Sequence, residues 1–142
     1  MFWRRKNDKL PLVPHREECN RIAAAALGAS GIEFDRASQL QQALVGTFVF
    51  GMIHAECMKH ALTLPQAHAI ALCVFQDSLH YTPQAAAEGV QACIDATAPG
   101  VHDTMRAIVH RGIDAHAQFL ADDIAALSEN VRSILSQFAE KG

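Results

Sequence analysis

The stretch Phe48-Val49-Phe50-Gly51-Met52-Ile53 is apolar on every side of a helix. A helix that carries such a stretch has no face to offer to water, so it belongs at the centre of the molecule. Leu40, Leu44, Phe48 and Met52 fall on one i,i+4 row, and the small residues Ala43, Thr47, Gly51 and Ala55 fall on another. A row of small side chains lets a second helix come close, either from the same chain or from a second copy. No run alternates with period two, which argues against a sheet. Ala is abundant, and Pro and Gly are few and lie mostly where helices would end. The 142 residues therefore predict an all-α fold, a single-domain bundle of five to six helices with one core.

Cap chemistry divides the chain. Residues 1–12 read as an irregular N-terminal segment, closed by Pro11 and Pro14, and residues 13–142 as one all-α domain. A first helix runs from about Pro14 to Leu27, with Gly28 as its C′ residue. Asp35 suits the N-cap of a long second helix, from about Arg36 to Leu62. Thr63, Pro65 and Gln66 form the start of a third helix that reaches about His80. Thr82 and Pro83 start a fourth, ending near Thr97 before the turn Ala98-Pro99-Gly100. From Val101 to Phe138 the helical pattern is nearly continuous, and Asp122 or Asp123 is placed to cap a fresh helix after a kink.

Half of the residues are hydrophobic, 19% are charged, and the formal net charge is -3. That balance speaks against disorder and against a nucleic-acid partner. Cys19, Cys57, Cys73 and Cys93 form no C-x-x-C pair and sit among apolar helical residues, as small buried side chains of a cytoplasmic protein do. The basic cluster Arg4-Arg5-Lys6 is not followed by the apolar region of a signal peptide. Phe2 and Trp3 beside it could touch a membrane surface, but a loosely docked terminus is the simpler expectation. The longest apolar run, Ala43 to Ile53, is too short to span a bilayer, so no membrane partner is expected.

A second stretch, Ile108-Val109-His110-Arg111-Gly112-Ile113-Asp114-Ala115-His116, packs four polar residues into an apolar helical segment. Its core-facing row would be Met105, Val109, Gly112, His116 and Phe119. Gly112 in mid-helix costs about 1 kcal/mol relative to Ala, which a close helix crossing would offset. Asp114 is placed to pair with His110 at i,i+4 or with Arg111 at i,i+3. Arg111 can hold a carboxylate through two hydrogen bonds. The favoured reading is an internal clamp, with Arg111 or His110 tying the fifth helix to a neighbour through Asp114 or Glu56. Glu56 and His60 are the candidate structural partners, and His110, Arg111, Asp114 and His116 the candidate interface.

Eight histidines invite a metal reading. Glu56/His60, Asp77/His80 and His110/Asp114 have helical pair spacing, but the Glu-x-x-His di-metal signature is absent. His102-Asp103 is the dipeptide of the HD-type metal-dependent phosphohydrolases, for which His60, His68 or His80 and Asp122 would complete the ligand set. Here it follows a Pro-Gly turn, and a dipeptide alone is a weak motif. Ser78 near Asp77 and His80 makes no nucleophilic triad, and there is no G-x-S-x-G elbow or Gly-rich phosphate loop. The expectation is a protein without catalytic residues, metal or cofactor, with a small hydrolase or a non-enzymatic helical adaptor as alternatives.

Phe48-Val49-Phe50-Gly51-Met52, Tyr81-Thr82-Pro83-Gln84-Ala85-Ala86 and Ile108 to His116 together resemble immunity protein family 48 of bacterial polymorphic toxin systems. The likeness runs from about Leu40 to Phe119, and His-Arg-Gly-Ile-Asp-x-His is its most specific part. Phe119 lies where the family has a tryptophan soon after the final histidine. The resemblance implies an all-α cytoplasmic protein that binds and blocks a cognate toxin domain and protects the cell that makes both. Its oligomeric state is left open.

Overall fold

The computed structural model describes residues 11–139. The expectations for Phe2, Trp3 and the basic cluster lie outside the described residues. Among the described residues there are six α-helices and no strand: α1 (Val13–Ser30), α2 (Gln39–Lys59), α3 (Leu64–Asp77), α4 (Pro83–Ala96), α5 (Asp103–Leu120) and α6 (Ile124–Ala139), with a 3-10 turn at Phe34–Arg36 before α2. The fold is all-α, as the sequence predicts.

Helix α2 touches each of the other five. Every residue from Leu44 to Ile53 is buried, so the all-round apolar stretch is the core of the bundle. Its most extensive partner is α5. The two cross at Gly51 and Gly112. A Cβ built on either glycine would lie 3.0 Å from the Cα of the other. It would run closer still into a carbonyl oxygen, that of Val109 from Gly51 and that of Phe48 from Gly112. Backbone meets backbone here, which explains a glycine in the interior of α5. The small-residue row of α2 is thus used within the chain at Gly51.

Tyr81 fills a second gap left by glycines. Its ring lies edge-on to Phe75 at 5.3 Å between centroids. A Cβ added at Gly46 of α2 would meet its hydroxyl at 3.5 Å, and one at Gly89 of α4 would meet its ring at 3.4 Å. The Tyr-Thr-Pro segment therefore plugs the space between α2 and α4 before Thr82 caps α4 through the Ala85 N–H.

Several helix ends differ from the sequence reading. Ser38, not Asp35, caps α2, in a capping box with Gln41. Phe34 is buried, and its carbonyl accepts from the Gln42 side chain, so the chain turns once before the helix begins. Asp35 instead faces His80 Nδ1 at 3.2 Å. Helix α1 continues through Gly28 and ends at Gly31, which takes the left-handed conformation at φ 74°. Helix α2 stops at Lys59 rather than Leu62. Ala61 turns left-handed there, and the buried Leu62 donates back to the Cys57 carbonyl. Helix α3 ends at Asp77, not His80, and Arg16 and Asn20 of α1 hold that carboxylate. The Thr63–Gln66 capping box stands as read. The chain breaks after Leu120: Asp122 turns left-handed and Asp123 accepts from the Ala126 N–H at the start of α6.

Candidate functional site

Two polar assemblies lie on α5, and each turns inward. The first is centred on Glu56 of α2, which is only 3% exposed. Its Oε1 is 2.7 Å from His116 Nε2 and its Oε2 is 2.9 Å from His60 Nε2. His15 of α1 packs its ring on His60 at 4.8 Å. Burial pushes the Glu56 carboxyl up, but the hydrogen bond and charge of His116, with those of His60, outweigh it and hold it below its ordinary value. A buried carboxylate flanked by two imidazoles is a satisfied polar knot between α2 and α5.

The second assembly belongs to Arg111. Its Nε donates to Asn130 Oδ1 at 2.8 Å, and its Nη2 donates to Ser133 Oγ at 2.6 Å and the Asn130 carbonyl at 3.2 Å. Asn130 Nδ2 returns a bond to the Arg111 carbonyl at 3.3 Å. Arg111 therefore clamps α5 to α6. The partners anticipated for it, Asp114 or Glu56, are not the ones it uses. Asp114 lies on the exposed side of the helix, and among the described residues no hydrogen bond or ion pair joins it to His110 or Arg111. The anticipated Asp77/His80 pair does not form either, because Arg16 takes Asp77 and Asp35 takes His80.

The structure divides the four candidate interface residues. His116 is in the core, His110 and Asp114 point outward, and Arg111, half-buried in its clamp, lines a shallow surface hollow together with Asp114. Asn130 and Ser133 were missed in the sequence. The signal was present: Asn130 sits one turn after Leu127 and one turn before Ile134 on the apolar face of α6, and a polar residue in a core row needs a partner.

The groove between α2, α3 and α4 was also missed. It has a volume of about 440 Å³ and is walled by Phe50, Ile53, Leu64, Ala71 and Ile94, with His54 and His68 among its few polar groups. Burial, and then the nearness of His110, lower the His54 pKa from its ordinary value. Loop and helix-end residues such as Leu64, Pro65 and Thr97 complete it, so no single helical row betrays it.

His102 Nδ1 accepts from the Met105 N–H and caps α5. Among the described residues no three His, Cys, Asp or Glu side chains gather as metal ligands. The Cys93 thiol is pushed up to about 11 by burial, as an inert core thiol is.

The sequence model of the family Immunity protein 48 matches residues 15–139. The chain belongs to the Immunity protein 48 family. The match takes in nearly all of the six helices, including the Glu56 knot and the Arg111 clamp. No curated protein and no solved structure matches the chain significantly. Within the run from His110 to His116, Arg111, Gly112 and His116 assemble the bundle, while His110 and Asp114 lie on its surface. No described helix is long and apolar enough to cross a membrane.

Proposed function

We propose that this chain is a non-catalytic binding protein that captures and neutralises a cognate bacterial toxin in the cytoplasm of the cell that makes both. Its membership of the Immunity protein 48 family over residues 15–139 carries this reading. The polar groups that could suggest an enzyme support it further, because Glu56 and His116 bond each other inside the bundle and Arg111 is spent on Asn130 and Ser133 of α6. The toxin contacts the outward side of α5, at His110 and Asp114, with Asp122 and Asp123 adding negative charge beyond the end of that helix.

Co-expression tests the reading. The toxin domain encoded beside this gene should stop growth when expressed alone, and this chain should restore it while forming a stable complex. Growth arrest that persists, with no complex on gel filtration, sinks the proposal. Asp114→Ala and Arg111→Ala separate contact from scaffold. Asp114 has no partner to lose among the described residues, so its variant should melt like the wild type and bind the toxin more weakly. Arg111→Ala strands Asn130 and Ser133 and should lower stability by about 2 kcal/mol. Thermal melts beside calorimetric titrations read both, and a destabilised Asp114→Ala with unchanged affinity would count against the assignment.

A further inference from the structure

Two of the four cysteines come together between α1 and α2, which pack against each other. His15, near the start of α1, stacks its ring on His60, just past the end of α2, at 4.8 Å between centroids. The two helices therefore run antiparallel where they touch. One turn deeper on each helix come Cys19 and Cys57, four residues on from His15 and three back from His60. Side chains at those spacings share a helix face. Both cysteines lie in the same core cluster and are 0% and 1% exposed. The register that stacks the imidazoles thus stacks the thiols beneath them.

The thiols also hydrogen-bond each other. That bond pushes the Cys19 thiol above its ordinary value, and burial acts the same way. It holds the Cys57 thiol below its ordinary value, against burial and the charge of Glu56. Cys93 is directed elsewhere, to Thr47 Oγ1 at 3.9 Å, and Cys73 lies half-buried on α3.

A buried thiol reacts only when the structure around it opens. Among the described helices α1 has the weakest start. Its N-cap Leu12 makes no side-chain cap bond, and its first turn carries no acid. Side chains cap α2, α3, α4 and α5, and Asp123 caps α6. The ion pair nearest the start of α1, Arg16 with Asp77, is partly exposed on both sides and holds it weakly. Fraying of this turn uncovers Cys19 together with its partner.

We infer that Cys19 and Cys57 form an oxidisable dithiol, which a hydroperoxide entering past the start of α1 closes to a disulfide between α1 and α2. The Cys57 sulfur attacks one peroxide oxygen and breaks the O–O bond. With hydrogen peroxide, this leaves a sulfenic acid on Cys57 and releases water, which takes up the thiol proton. The Cys19 sulfur then displaces the hydroxyl from Cys57. The S–S bond forms, and the hydroxyl leaves with the Cys19 proton as a second water. Two electrons pass from the sulfurs to the peroxide. The modification goes beyond the toxin-neutralising reading and does not depend on it.

Hydrogen peroxide added to the reduced, folded chain tests it. The intact mass should fall by that of two hydrogen atoms, and dithiothreitol should restore it. Proteolysis should yield a Cys19 peptide joined to a Cys57 peptide. In Cys19→Ala the crosslink should vanish, and Cys57 should stop at the sulfenic acid, which dimedone captures. Val13 is 62% exposed in the first turn of α1. Val13→Asp places an acid there, holds the turn closed and should slow the crosslink by about twofold or more. An unchanged rate would overturn the route past α1. Oxidation at Cys73 or Cys93 with Cys19 and Cys57 still reduced would overturn the dithiol, as would added oxygen on either without a crosslink between them.

Discussion

Gly112→Ala should lower the melting temperature by about 10 °C, the equivalent of about 3 kcal/mol in a domain of this size. An alanine in mid-helix normally gains about 1 kcal/mol over glycine, so the sign itself is diagnostic. The new methyl group would be driven into the carbonyl oxygen of Phe48 and the Cα of Gly51. Neither is a side chain that can swing aside. The α2–α5 pair, the most extensive contact in the bundle, would have to open along its length. Gly28→Ala is the control: nothing lies within 4 Å of its added Cβ, and it should stabilise by up to about 1 kcal/mol. Gly51→Ala should match Gly112→Ala, and the double variant should cost less than the sum, because one methyl already parts the helices. Thermal and urea melts of the wild type and the four variants settle it. A Gly112→Ala protein as stable as the wild type would mean that the helices do not touch through their backbones.

The second large effect is at Glu56. Removing the carboxylate with Glu56→Ala leaves His116 without its partner inside the bundle, and His60 without its partner at the surface, a loss of about 3 kcal/mol. Glu56→Gln retains an amide oxygen and should cost less. The pH dependence separates charge from packing. The folded pKa of Glu56 lies below the ordinary value of 4.5. Its contribution is therefore fully present above the unfolded value and is lost as pH falls through the folded one. The stability gap between wild type and Glu56→Gln should be widest near neutrality and should close in acid. Urea denaturation at about pH 7 and about pH 3 measures it. A gap that does not change between them would show that the carboxylate carries no ionised stabilisation.

Much of the bundle was legible because helices announce themselves locally. The Thr63 and Thr82 caps, the break near Asp123 and the buried face of α2 each follow from residues within one or two turns of one another. Where the reading slipped, the competing signal was also local. Ser38 and Gln41 form the same box as Thr63 and Gln66, but Asp35 precedes them and is an equally good cap by residue type. Gly28 has the residue type that often ends helices, yet the chain has Gly31 to use three residues on.

The candidate site was less legible. Glu56 and His60 were paired correctly from their spacing, but His116 reaches Glu56 from 60 residues away. Arg111 was marked as a clamp, and its jaw turned out to be Asn130 and Ser133. Its nearest candidate in sequence, Asp114, points to solvent. Helical spacing states which side chains can meet on one helix. It does not state which of them has a better partner on another.

The sequence by itself determined that the chain is all-α, that Phe48 to Ile53 lies at its centre, where most helices begin, and which family it belongs to. These depend on periodicity, cap chemistry and motif, all carried by residues close together along the chain. Only the tertiary structure decided that Gly51 meets Gly112, that Glu56 joins His116, that Arg111 grips α6, and that an apolar groove opens beside His54 and His68. Each of these is a pairing between separate helices. It is set by how volumes and polar groups are satisfied across the whole core at once, for which the chain carries no local signal.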